Sequence, residues 1–227
     1  IFSGTQRGED GANGNYISVT DHMGGEHLGL ASNKTGRSAL DPEQSPFHFE
    51  LYLRVPAQVN ENQIIIQKIS GSTSISTNMT LAISESSDTT KCDLIFGLTS
   101  GSNYLFTSCS IAKGDFKHIA AGYNRDGDAK LHLRVDLLNE YTSSNSTEFS
   151  TLKYARGNLN IGSGSTVRLD GKPELFIPHQ TFSGSIDELR YFKSFRDFYD
   201  IKAYKDRSLD FNTYNERTTS KYTEGKQ

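Results

Sequence analysis

The chain has 227 residues, 34% of them hydrophobic and 22% charged, with a net charge of −3. A chain of this length folding as one β domain buries about 70–75% of its extended surface. Its scattered Lys and Arg form no basic stripe that would release phosphate counterions, which argues against a nucleic-acid partner. No apolar run reaches the roughly 20 residues of a membrane-spanning helix, which argues against insertion into a bilayer.

Tyr (11) and Phe (13) outnumber Pro (5) and Met (2), and Gly reaches 20, the composition of short aromatic-rich strands separated by turns. Residues 1–15 hold little apolar material after Phe2 and read as a lead-in, and the start at Ile1 fits a piece of a longer polypeptide. Tyr16 to Leu30 predicts a weak strand pair, and Asn33 to Pro46 reads as loop. Phe47 to Val55 is the clearest strand. Phe47, Phe49, Leu51, Leu53 and Val55 alternate with His48, Glu50, Tyr52 and Arg54, which predicts one core face and one wet face. Ile64 to Ile66 predicts a buried strand, and Met79, Leu81 and Ile83 a half-buried one.

Cys92 to Cys109 predicts a hairpin. A turn centred on Ser100 and Gly101 places Phe96 opposite Leu105 and Cys92 opposite Cys109, leaving either a disulfide or two buried thiols open. Phe116 to Ala121 and Lys130 to Val135 predict a second hairpin, with Leu131, Leu133 and Val135 on one face and His132, Arg134 and Asp136 on the other. Leu159 to Gly162 is a further short strand. In Phe182 to Phe192 the apolar Ile186 and Leu189 are three apart, so a regular strand cannot place them on one face; the strand either carries a bulge or is covered on both sides. Asp197 is placed to cap a short helix, with Asp200 in its first turn. Residues 205–227 turn polar and read as an edge strand, around Leu209 and Phe211, or as a linker.

Gly114 to Gly127, Lys130 to Asp136, Leu159 to Gly162 and Phe182 to Ile201 together resemble the central hairpin and closing strands of laminin-G-like, concanavalin-A-like jelly rolls. Phe116 stands where that family often has Trp, and Leu137 where it often has Gly. The resemblance implies an all-β fold, an antiparallel two-sheet jelly-roll sandwich with one short helix near residues 197–204, as a domain over residues 16–204.

Three stretches invite a chemical reading. His22 to His27 is superficially like a zinc-protease signature, but its two central Gly would each cost a helix about 1 kcal/mol and its spacing is wrong. Asn124, Asp126 and Asp128 resemble the start of a calcium loop, yet the sixth and twelfth positions hold Ala129 and Val135; a hairpin turn using Asp126 and Gly127 is the simpler account. Asp187 and Glu188 are adjacent on one strand, whereas glycosidases of the jelly-roll fold carry Glu-x-Asp-x-x-Glu; structural bonding to loop backbone is the favoured role. The sequons at Asn33, Asn78 and Asn145 are about as many as chance supplies in so polar a chain.

The resemblance implies a noncatalytic binding module for glycan or protein within a larger extracellular, cell-surface or virion tail or fibre protein. Tyr52 and Tyr123, taken as outward-facing, with Asn124, Asp126 and Asp128, are the candidate ligand residues. Domains of the resembled family often hold a calcium ion at the rim, so Ca2+ is the cofactor the resemblance implies, with Asp126, Asp128 and Asp187 as candidate ligands. An architectural domain of a larger assembly and a divergent glycoside hydrolase or lyase are the alternatives.

Overall fold

Apolar side chains alternate along strand after strand, and the chain satisfies that pattern by stacking two sheets with their apolar faces together. The computed structural model describes residues 1–2, 14–20, 40–71, 76–154, 157–169 and 175–207. In chain order the elements are β1 (Ile17–Val19), β2 (Phe47–Arg54), β3 (Gln63–Ile69), β4 (Asn78–Ser84), β5 (Lys91–Ser100), β6 (Asn103–Ala112), β7 (Lys117–Tyr123), β8 (Leu131–Val135), β9 (Asn139–Thr142), β10 (Leu159–Ile161), β11 (Gln180–Thr181), β12 (Ser185–Phe192) and α1 (Phe198–Tyr204). One sheet has seven strands in the order β1-β10-β3-β4-β5-β6, with β11 joined to β3; the other has five, β12-β2-β7-β8-β9. Every pairing is antiparallel except that of β11 with β3. The chain divides into two units, Ile1–Arg196, which holds both sheets, and Asp197–Gln227, which holds α1.

The core lies between the sheets. Phe47, Phe49, Leu51 and Leu53 of β2 and Ile119 and Ala121 of β7 meet Met79, Leu81, Phe96 and Leu98 of β4 and β5, all essentially without exposure. Each large side chain so buried contributes about 1.5–3 kcal/mol. One charge sits at the rim of this core. Lys68 is fully buried, with Nζ donating to Gly157 O at 2.5 Å and lying 3.4 Å from Asp41 Oδ1, while Asp41 Oδ2 accepts from Tyr154 N at 3.1 Å. That pairing ties two connecting segments to β3.

Several sequence expectations meet their physical test here. The closing strand carries a bulge, with the register slipping between Asp187 and Arg190 and Glu188 at φ 50°. The extra residue brings Ile186 and Leu189 onto the core side together. In α1 the Asp197 side chain accepts from Asp200 N at 2.8 Å, the capping geometry its position predicts.

The cysteine hairpin is set differently from the expectation. Ser100 pairs with Asn103, so the turn is Gly101 and Ser102, with Gly101 at φ 62°. Cys92 therefore faces Ile111, Cys109 faces Leu94 and Phe96 faces Thr107, and both thiols are free. Burial pushes the Cys92 thiol up to about 11 and Cys109 to about 12.

The expected wet faces of β2 and β4 are largely dry. His48 and Glu50 are buried, and β4 is buried from Asn78 to Ile83. Asn78 is fully buried, which removes that sequon from the surface of the folded chain. His22 to His27, Asn33, most of the expected strand pair beyond Val19, and Leu209 and Phe211 lie outside the described residues.

Candidate functional site

Which surfaces remain open decides where a ligand can sit. The outer face of the seven-stranded sheet is closed by the chain's own connection to β11. Val167, Leu169 and Phe176 pack on Ile64, Ala82, Ile95 and Phe106. Val167 and Phe176 exchange backbone hydrogen bonds of 3.1 and 2.8 Å, and Gln67 Oε1 accepts from Ser165 N at 2.7 Å.

The outer face of the five-stranded sheet is polar and falls into rows across the strands. Phe192, His48, Gly122, His132 and Thr142 form one row; Arg190, Glu50, Ala120, Arg134 and Glu140 the next; Asp187, Tyr52 and His118 a third. The segment after β12 covers the first two. The Phe195 ring lies 5.6 Å from His48 and 4.8 Å from His132. Arg196 Nε sits 2.6 Å from Glu50 Oε1, and its guanidinium is 4.4 Å from the Phe192 ring centroid. Gly122 is required beneath His48, since a Cβ there would run into the imidazole Nδ1. Burial, reinforced by the charge of Arg196, lowers the His48 pKa to about 3. His132 is held between two carboxylates, Nδ1 at 2.8 Å from Glu140 Oε1 and Nε2 at 3.0 Å from Asp128 Oδ1.

The third row is only partly covered by the described residues, and its His118 is itself buried, 4% exposed. Tyr52 is half-buried, its ring edge-on to His118 with centroids 5.1 Å apart, and its cross-strand neighbour Asp187 is exposed. Phe116, just before β7, is 48% exposed. Arg54, exposed at the end of β2, donates from Nε to Gly114 O at 2.6 Å. On the far side of His118, Asp136 Oδ1 accepts from His118 N at 2.9 Å and Oδ2 lies 3.2 Å from Lys117 Nζ. Asp187 Oδ1 accepts from Glu188 N at 2.9 Å, while Glu188 Oε2 is 2.8 Å from Arg190 Nη2. Asp136, Leu137 and Glu188 stand at φ 51°, 60° and 50°. Strained non-glycine backbone of this kind gathers at ligand sites, and here three such residues border one patch.

The structure separates the residues that sequence reasoning grouped. Tyr52 lies on the third row, but Tyr123 does not face outward: it is fully buried and donates its hydroxyl to Thr147 O at 2.7 Å. The reason is parity, because Tyr123 shares the inner face of β7 with Ile119 and Ala121. Asn124 and Asp128 close the turn between β7 and β8. Asn124 O accepts from Ala129 N at 2.9 Å, and Asp128 Oδ1 accepts from Lys130 N at 3.3 Å. The left-handed residue of that turn is Ala129, at φ 53°, rather than Gly127. Burial pushes the Asp128 carboxyl upward, but hydrogen bonding and charge from His132 outweigh it and hold the group below its ordinary value. Asp126 is exposed at the turn.

The calcium set does not assemble. Asp187 on β12 and Asp128 beside β8 are separated by β2 and β7, about 14 Å at ordinary strand spacing. Among the described residues no three His, Cys, Asp or Glu side chains converge as metal ligands. Phe116, His118 and Arg54 were missed because their grouping depends on the register of β2 against β7, which pairs Tyr52 with His118.

No family model matches the chain, and neither does any curated protein. Solved structures do match. A candidate carbohydrate-binding protein of Bacteroides ovatus aligns at TM-score 0.50 and 15% identity over 83% of this chain and 44% of its own. The binding domain of botulinum neurotoxin DC in complex with SialylT aligns at TM-score 0.52 and 10% identity, over 89% and 41%. A structure of NanB with Optactamide aligns at TM-score 0.51 and 11% identity, over 83% and 26%. The chain thus spans less than half the length of each of these proteins, and what it shares with them is the β-sandwich fold.

Proposed function

We propose that this chain is a noncatalytic glycan-binding module of a larger extracellular or virion protein, and that its site is the surface formed by Tyr52 and Phe116 around buried His118, with Arg54 and Asp187 at its edges. The observation that carries the reading is a pair of accessible rings, half-buried Tyr52 and 48% exposed Phe116, packed about the buried His118, fixed by sheet register and bordered by hydrogen-bonding groups. Aromatic rings offer a sugar's C–H face an apolar surface, and the surrounding polar groups meet its hydroxyls. Two of the aligned sandwiches are a candidate carbohydrate-binding protein and a binding domain in complex with SialylT, which accords with the reading. Glu188 is held by Arg190 and has no Glu-x-Asp-x-x-Glu set around it, so the reading assigns no hydrolysis.

A glycan array probed with wild-type protein and with Tyr52→Ala tests it. The expected result is binding to a restricted glycan set, unchanged by EDTA, with Tyr52→Ala weaker by about tenfold or more. Array-wide silence, or binding indifferent to Tyr52, contradicts it. A second reading, an architectural contact, is favoured by edge strand β1, where Ile17 is 53% exposed beside Tyr16 at 55%. A silent array together with a stoichiometric protein partner would establish that role.

A further inference from the structure

We infer that the Tyr52 surface takes a sugar bearing a carboxylate, held end-on by the two Nη groups of Arg54. This rests on the reading of that surface as a glycan site and adds the class of ligand to it. The charges on and beside this face single Arg54 out. Lys117 has Asp136 at 3.2 Å, Arg134 has Glu140 at 2.6 Å, Arg190 has Glu188 at 2.8 Å and Arg196 has Glu50 at 2.6 Å. Arg54 is exposed, and the one polar contact of its side chain among the described residues is the bond that Nε donates to Gly114 O at 2.6 Å. It pairs with no described carboxylate, Asp115 and Asp187 included, so both Nη groups keep their donors for a ligand.

The fold aims that fork. Gly114, at φ 101°, turns the chain just before β7, and its N–H donates to Val55 O at 2.8 Å, which pins the acceptor of the Arg54 bond to the end of β2. The bond draws the guanidinium toward the β7 side of β2, away from Asp187 on β12. Continuing the β2–β7 register one step past Leu53 and Lys117 sets Phe116 opposite Arg54, and Tyr52 lies two residues back on the same face. With Nε occupied, what remains is the Nη pair, whose parallel N–H groups match the two oxygens of a carboxylate. Asp187 stands at the other edge of the rings, opposite Tyr52, its carboxylate fixed by the Glu188 N–H at 2.9 Å. Opposite charges at the two edges orient the ligand: carboxylate toward Gly114, hydroxyl groups toward β12.

The test uses the whole chain on an array that prints neutral glycans beside their sialylated, uronic-acid-bearing and sulfated counterparts, with Arg54→Gln and Arg54→Lys as variants. Wild-type protein is expected to bind the carboxylate-bearing members best. Arg54→Gln is expected to weaken that binding by about tenfold and remove their advantage over neutral members, with an unchanged urea midpoint showing that the fold is kept. Arg54→Lys retains the charge without the fork, so it is expected to recover only part of the loss. Tyr52-dependent binding without a preference for carboxylates, a preference for sulfated members, or a carboxylate preference that survives either substitution intact overturns the inference and leaves the glycan-binding reading standing. Silence for every glycan overturns both.

Discussion

His48 is the residue that the sequence most misrepresents. Alternation along β2 assigns it to a wet face, yet it is 1% exposed, and neither ring nitrogen has a hydrogen-bond partner among the described residues. Phe195 and Arg196 cover it, and nothing local in the sequence announces that a segment more than a hundred residues later returns to this strand. Its chemistry makes a prediction. With the folded pKa lowered from 6.5 to about 3, the unfolded chain takes up the proton first as pH falls. Stability from this group is therefore complete above pH 6.5 and declines through the window down to pH 3, with a slope of up to about 1.4 kcal/mol per pH unit. Urea denaturation between pH 6.5 and 5, above the range where ordinary carboxylates titrate, is expected to show that decline, and His48→Gln to flatten it. A wild-type stability level across that window would contradict the burial of a neutral imidazole. Tyr52 and Tyr123 give the matching lesson: both are expected to face outward, but the parity of β2 turns Tyr52 away from the core while that of β7, which runs on past the expected strand end at Ala121, turns Tyr123 into it.

At the level of elements, most of the design is legible. The alternation of β2, the cap of α1 and the irregularity of β12 all follow from side-chain period and from the positions of Asp197, Ile186 and Leu189. Register is less legible, because it depends on a single turn residue. Moving the β5–β6 turn from Ser100 and Gly101 to Gly101 and Ser102 is enough to take Cys109 from Cys92 to Leu94. The β8–β9 turn shows a residue doing what its type resists. Leu137 stands at φ 60°, and Asp136 beside it is at 51°. A left-handed conformation costs an L residue about 1–2 kcal/mol. Leu137→Gly is therefore expected to raise the unfolding free energy by about 0.5–1 kcal/mol, less than the full strain because Gly also loses more backbone entropy on folding. An unchanged or lower urea midpoint would mean that the turn is not strained, and would remove one support for reading strain into the neighbouring site.

Taken whole, the molecule is a sandwich whose two outer faces are treated differently. Among the described residues one is covered by Val167, Leu169 and Phe176; the other is covered over two rows and leaves Tyr52 and Asp187 of the third accessible. The sandwich was legible because its apolar alternation is local. The choice of open surface was not, because it is settled by segments that cross the sheets from far along the chain. The candidate site therefore moved from the β7–β8 turn, where Asn124 and Asp128 are occupied with closing the loop, to the surface where Tyr52, His118 and Asp187 are aligned by pairing.

The most direct measurement is a backbone amide NMR titration of the whole chain with the strongest glycan found on the array. Saturable shifts are predicted at the amides of Tyr52, Arg54, Phe116, His118 and Asp187, on β2, β7 and β12 together. Shifts gathered instead at residues 124–128, or on the seven-stranded sheet, would contradict the placement of the site.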